Sequence, residues 1–327
     1  MSFADLIGHQ KQLAILRSAL ISQRMHHAYL FLGPEGVGKR TIAVAYAKAI
    51  HCLERTDDFC GRCENCVRIS DGNHPDVRII ELFADKKEIG IQQIRGLERD
   101  LNYRSFTGKR KVAIIDPASL LNPASQNALL KTLEEPPADS LIILIAPNSG
   151  GLLPTVRSRC LRLAFAPLAR REVAGFLQTQ CAIAAGDAEF LAAMSMGSIG
   201  TALSLDKDEL IQKRRIWADR LSSLKAGDHH AAMVAAEALS GNRDEALKFL
   251  KWAESWYRDA LVYSATKSDE ELVNLDMLEQ IHEQSVANAN GALTAFAGIA
   301  NAAAGIQRNL NRRMVLEKFL FGVVTGH

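Results

Sequence analysis

Four short apolar runs mark the first half of the chain: Ala28 to Leu32 within "HHAYLFLGP", "VRIIEL" at 77–82, "KVAIID" at 111–116 and "LIILIA" at 141–146. Each is nearly continuous rather than alternating, as expected of strands buried on both faces of a parallel sheet. Helical patterns lie between them. After Lys39, for example, "RTIAVAYAKAIHC" is alanine-rich with apolar residues at helical spacing. This alternation predicts an α/β fold, a doubly wound parallel sheet with its ligand at the C-terminal ends of the strands.

After "FAPLARREV" the strand pattern stops, and the chain reads as helix from "EVAGFLQTQC" through "RRMVLEKFLF"; Pro167 is the last proline. The shift puts one boundary near 167 and a second near "LDKDEL" at 205–210. The expected organisation is an α/β domain over 1–167, carrying a cysteine module at about 52–66, a small helical lid over 168–208 and an all-helical domain over 209–327. The stretch "ANANGALTAFAGIANAAAGI" is read as a packed helix, because small residues at helical spacing allow close approach.

Composition changes this picture little. Of 327 residues, 48% are apolar and 23% charged, an ordinary globular balance with enough apolar surface for more than one core. No run resembles a membrane span, and "MSFADLIGHQ" lacks the basic start and apolar core of a signal peptide, so a soluble cytoplasmic protein is expected. A net charge of +2 gives no global basic field, so any nucleic-acid contact must be local. The basic stretch "TGKRK" at 107–111 reads as a solvated turn.

The candidate chemistry begins at "GPEGVGKR", residues 33–40, between the first strand and its helix. Gly33, Gly38 and Lys39 match a phosphate loop, whose backbone N–H groups wrap phosphates while the lysine reaches the β/γ-phosphates. The Ser or Thr that would hold Mg²⁺ is replaced by Arg40. In "KVAIIDPAS", Asp116 fits the metal-holding acid at the end of a second strand, yet Pro117 follows where a water-activating Glu would stand. Metal hydroxyl and general base are both missing, which predicts a site inactive in hydrolysis.

Four of six cysteines, Cys52, Cys60, Cys63 and Cys66, fall within "CLERTDDFCGRCENC". Without a secretory signal, such clustering favours a metal over disulfides. Four thiolates make a closed tetrahedral Zn²⁺ site, structural rather than catalytic, and Gly61 relieves the turn between ligands. An iron–sulfur cluster shares part of the spacing, but no Cys-Pro follows and the fourth ligand lies upstream.

"GPEGVGK", the four-cysteine module, "NHPDV", "NALLKTLEEPP" at 127–137 and the Ser-Arg-Cys of "LLPTVRSRC" together resemble the δ′ family of subunits of the bacterial DNA polymerase III clamp loader, a group of AAA+ proteins. The resemblance spans about the first 200 residues strongly and the remainder by helical character alone. It is shared in large part with the ATP-hydrolysing γ/τ motor subunits. Arg40, Pro117 and Gly200, the last standing in "GSIG" where the motor's lid carries an arginine, separate the two in favour of δ′. The resemblance implies no intrinsic ATPase and weak or absent ATP or ADP at the chain's own loop. Arg159, or by competition Arg157, would reach in trans toward ATP bound by a neighbour. It also implies a helical collar holding a five-subunit ring with γ/τ and δ subunits. Such a ring places the sliding β clamp on primed DNA within the polymerase III holoenzyme.

Overall fold

In a computed structural model that describes residues 2–287 and 289–325, the chain divides into two compact units, Met1–Ser204 and Leu205–His327. The first is built on a parallel sheet of five strands: β1 (Ala28–Leu32), β2 (Val77–Ile80), β3 (Lys111–Ile115), β4 (Ser140–Ala146) and β5 (Leu161–Ala164). Their spatial order is β2-β3-β4-β1-β5.

The expected parallel α/β sheet is therefore present, and the apolar runs explain it. Along β1, Tyr29 and Phe31 enter one core while Ala28 and Leu30 enter another; on β3, Val112 and Ile114 oppose Ala113 and Ile115 in the same way. Both faces of the sheet are covered, so alternating side chains are all apolar, and central β4 is buried at every position. The helix Lys39–His51 packs in the first core through Ile42, Tyr46 and Ile50. The helices Ile91–Asn102 and Pro123–Glu134 close the second through Ile94, Leu97, Leu129 and Leu133.

The fifth strand had no counterpart among the apolar runs. β5 lies at the sheet edge beside β1, and only Leu163 of its four residues is buried. An edge strand needs one inward residue and leaves the others to solvent, Arg162 included.

Three further helices, Arg170–Cys181, Ala185–Met194 and Ile199–Ser204, complete the first unit. The second unit is entirely helical among the described residues and holds all three tryptophans, Trp217, Trp252 and Trp256, in one core. Arg214, fully buried, is held there by Asp276 at 2.9 Å and by the Asn274 side chain at 2.8 Å. The alanine-rich segment does form a packed helix, Ala289–Gln307, which buries Ala292, Ala295, Ile299, Ala302 and Ile306; Asn288 lies outside the described residues. No helix among the described residues is long and apolar enough to cross a membrane.

Candidate functional site

The C-terminal ends of β1 and β3 flank that of β4 and carry the phosphate-loop residues and Asp116 into one cavity of about 700 Å³. Gly33 sits where the chain leaves the sheet. A Cβ there would lie 2.0 Å from the Phe165 carbonyl oxygen, so the close approach of the segment after β5 demands glycine. Gly38 adopts φ of 104° and opens the helix Lys39–His51 without a side-chain cap. Its glycine is required by conformation rather than by space.

Lys39 is 6% exposed, and its Nζ donates to the carbonyl oxygens of Gly33 at 2.5 Å and Pro34 at 2.6 Å. Burial lowers its pKa, while the Asp116 and Glu35 carboxylates work in the opposite direction. Arg40 does more than leave out a hydroxyl. Its guanidinium hydrogen-bonds to the Glu81 carboxylate, and Nη1 stands 3.6 Å from Asp116 Oδ2. Burial raises the pKa of Asp116, and the charges of Arg40 and Lys39 partly offset that rise. These residues do not fit Mg²⁺: the hydroxyl is absent, and the acid that would hold the ion faces a fixed cation.

The segment holding Gly200 rests on the loop itself. Ser198 Oγ donates to the Glu35 carbonyl oxygen at 2.8 Å, and Gly200 N–H donates to Gly36 O at 2.9 Å. A Cβ on Gly200 would meet Gly36 Cα at 2.8 Å. Only glycine at 200 lets the two backbones approach so closely.

The four cysteines converge as the spacing predicts, with their sulfurs within 4.8 Å of one another and no disulfide among them. Tetrahedral zinc with Zn–S of about 2.3 Å implies sulfurs about 3.8 Å apart, so the cluster fits such an ion. Gly61 turns the chain with φ of 71°, and Cys63 N–H donates to Cys60 Sγ at 3.2 Å. Burial opposes ionisation of Cys63, yet hydrogen bonds from the backbone at Leu53 and Cys66 bring its thiol down to about 7. Burial pushes Cys66 up to about 12, and the negative charge of Cys52 and Cys63 adds to the rise. That repulsion is what a bound cation neutralises, so the arrangement is consistent with a structural zinc site.

Beside this module, Asp76 of "NHPDV" is 2% exposed and ties down the loop before β3. It accepts from Phe106 N and Thr107 N at 2.8 Å, from Thr107 Oγ1 at 2.8 Å and from Ser105 Oγ at 2.9 Å. Burial alone would raise its pKa, but these donors hold it down to about 2. Thr107 Oγ1 also lies 3.3 Å from Nδ1 of His51, the residue before Cys52.

Arg159 follows the short helix Pro154–Arg157 and borders a separate, shallow hollow that His26, His27 and Glu134 also line. Its guanidinium pairs with Glu134 at 2.6 Å and donates to Thr155 O at 2.9 Å, with the side chain 34% exposed. Arg157 differs, because its Nε is buried with no hydrogen-bond partner among the described residues. Gln126, 4% exposed, fixes the segment: Nε2 donates to Leu121 O and Gly151 O, and Oε1 accepts from Leu153 N. Sequence reasoning passed over Gln126, Glu81 and Ser198. Glu81 and Ser198 stand inside "VRIIEL" and "GSIG", and Gln126 just before "NALLKTLEEPP", but nothing local marks any of them.

Residues 8–169 match the family described as "DNA polymerase III, delta subunit". The δ′ subunit of Pseudomonas aeruginosa DNA polymerase III is 32% identical over 78% of this chain and 77% of its own length. The τ/γ subunit of Haemophilus influenzae is 33% identical over 76% of this chain, which spans only 37% of that longer protein. A γ-subunit-related protein of Thermotoga maritima aligns over 96% of this chain and 98% of its own with a TM-score of 0.43 at 18% identity. On the strength of the δ′ match, the chain belongs to the family of DNA polymerase III clamp-loader subunits.

Proposed function

We propose that this chain is a δ′-type subunit, an AAA+ member that does not hydrolyse ATP and serves its neighbours in the clamp-loading ring. The observation that carries the reading is the contact of Arg40 with Asp116 and Glu81. A guanidinium stands where a motor needs a hydroxyl and a metal, and Pro117 has no proton-accepting group for water activation. Gly200, packed on Gly36, supports the same reading.

In this role Cys52, Cys60, Cys63 and Cys66 hold a structural Zn²⁺. Gly33, Gly38 and Lys39 keep a phosphate loop that does no hydrolysis. Arg159 acts in trans on ATP bound by an adjacent γ/τ subunit, its planar fork stabilising charge on the transferring phosphoryl group. The helical region after the lid joins the ring of γ/τ and δ subunits that places the β clamp on primed DNA. A motor-type role is the second reading, favoured by the similarity to the τ/γ relative and by the retention of Lys39.

The test is a loader reconstituted with γ/τ and δ subunits. Arg159→Ala is expected to leave the chain folded and in the ring, while clamp- and DNA-stimulated ATP hydrolysis falls. The fall stays below the roughly 10³- to 10⁵-fold seen for single trans arginines elsewhere, because other sites in the ring keep their own. Arg157→Ala serves as the control for charge loss. Unchanged hydrolysis with Arg159→Ala removes the trans role, and ATP turnover by the isolated chain that Lys39→Ala abolishes restores the motor reading.

A further inference from the structure

The surroundings of Arg40 give it a positive task. The cavity of about 700 Å³ over the phosphate loop is bounded on one side by Lys39, Arg40 and Asp116. Two carboxylates, Glu81 and Asp116, converge on the Arg40 guanidinium. Lys39 is engaged with the loop carbonyls at Gly33 and Pro34, so a second cation is set beside the uncapped start of the helix Lys39–His51. In a metal-dependent site, an acid and a hydroxyl draw in a divalent ion, which then screens the phosphates from the acid. Here the Arg40 guanidinium, bonded to Glu81, stands 3.6 Å from Asp116, so a divalent ion reaches that carboxylate only by competing with a cation already beside it.

We infer that this pocket takes a nucleoside diphosphate or triphosphate without a divalent cation, with the Arg40 guanidinium in the metal's electrostatic place beside the terminal phosphates. The inference rests on reading residues 33–40 as a phosphate loop and is independent of any action in trans. Guanidinium suits the task because it is always charged and presents several donors to phosphate oxygens. The adjacent backbone start of the helix adds its own attraction for anions.

The experiment measures binding of fluorescently labelled ADP, and of unlabelled ADP and ATP by competition, to the full chain. One buffer is magnesium-free, without a chelator so that the cysteine module is undisturbed; the other contains millimolar Mg²⁺. The unmodified chain is expected to bind in the magnesium-free buffer, with affinity unchanged or weakened when Mg²⁺ is added. Arg40→Thr, which restores a hydroxyl, is expected to reverse the order, Mg²⁺ strengthening its binding by about tenfold or more. Arg40→Ala is expected to lose affinity in both buffers. Unchanged melting temperatures establish that both variants are folded.

Binding that requires Mg²⁺ in the unmodified chain overturns the inference. So does undetectable binding of ADP and ATP at millimolar concentration, or an Arg40→Ala variant that binds as the unmodified chain does. Magnesium-dependent binding without turnover would overturn this inference alone. Turnover of ATP by the isolated chain would instead strike at the non-hydrolysing role.

Discussion

The phosphate loop and the cysteine module are two places in one compact unit where a cation belongs, and they have diverged. At the module all four cysteines are present at the edge of the first core and their sulfurs converge within 4.8 Å. At the loop the metal-holding set is broken, and a side chain supplies the positive charge to Asp116. The difference teaches that an electrostatic demand can be met by an exchangeable ion or by a covalently attached group. The first can be lost when metal is withdrawn, the second cannot. It also teaches that a loop glycine can be required by packing alone. Gly33 and Gly200 are held by backbones that approach within contact distance, whatever the loop binds.

The largest effect is expected at the module. Cys63→Ser is expected to reduce bound zinc from about one per chain to none, with residues 52–66 losing hydrogen-exchange protection. The stability lost should be several kcal/mol, below the roughly 10 to 16 kcal/mol that zinc contributes to isolated zinc-finger peptides, because the flanking helices hold the module's ends. Elemental analysis with exchange mass spectrometry checks this, and full metal retention would mean the ligand set is wrong. Iron with acid-labile sulfide in the unmodified protein would mean the wrong metal.

At the loop, Gly200→Arg tests the close packing of Gly200 on Gly36. Its Cβ would lie 2.8 Å from Gly36 Cα, a backbone neighbour that cannot turn aside. The expected loss is toward the upper end of the about 1 to 3 kcal/mol typical of overpacking, with no gain in ATP turnover. Chemical denaturation and a turnover assay read both outcomes; wild-type stability would show that the segment at Gly200 is not packed on Gly36.

A smaller effect is expected at Asp76, where hydrogen bonds to a buried carboxylate tie down the loop before β3. Its folded-state pKa, about 2, lies below the ordinary 3.8. The stabilisation, roughly 2 kcal/mol, is therefore fully present above the ordinary value and lost as pH falls from about 4 to 2. Urea unfolding of Asp76→Asn beside the unmodified chain should show a gap that is constant from pH 5 to 7 and narrows at pH 3. A gap that does not narrow would assign the effect to shape rather than charge.

Much of the first unit was legible in the sequence because burial on both sheet faces writes itself as an apolar run. The runs at β1, β3 and β4 agree with the strands to within a residue at either end. β5 was not legible, since one inward Leu163 among exposed neighbours makes no run. The cysteine module was legible from spacing alone, because its ligands lie close in the chain. Arg40 was legible as a departure but not as an interaction: Glu81 lies 41 positions away, and only the adjacency of strand ends brings it near. The Gly200 contact with Gly36 was equally invisible, being a backbone approach across about 160 residues.

By itself the sequence determined the class of fold, the four cysteines of the module and the identities of Arg40 and Pro117 at the loop. These follow from local chemistry: periodicity, spacing and the identity of single side chains. Tertiary structure alone decided that Arg40 meets Asp116 and Glu81, that Gly200 seats on the loop, and that Arg159 pairs with Glu134 while Arg157 Nε is buried. Such pairings depend on which strand ends lie side by side and how closely two backbones pass. Those distances are set by the packing of the whole sheet and its helices, and no stretch of the chain carries them alone.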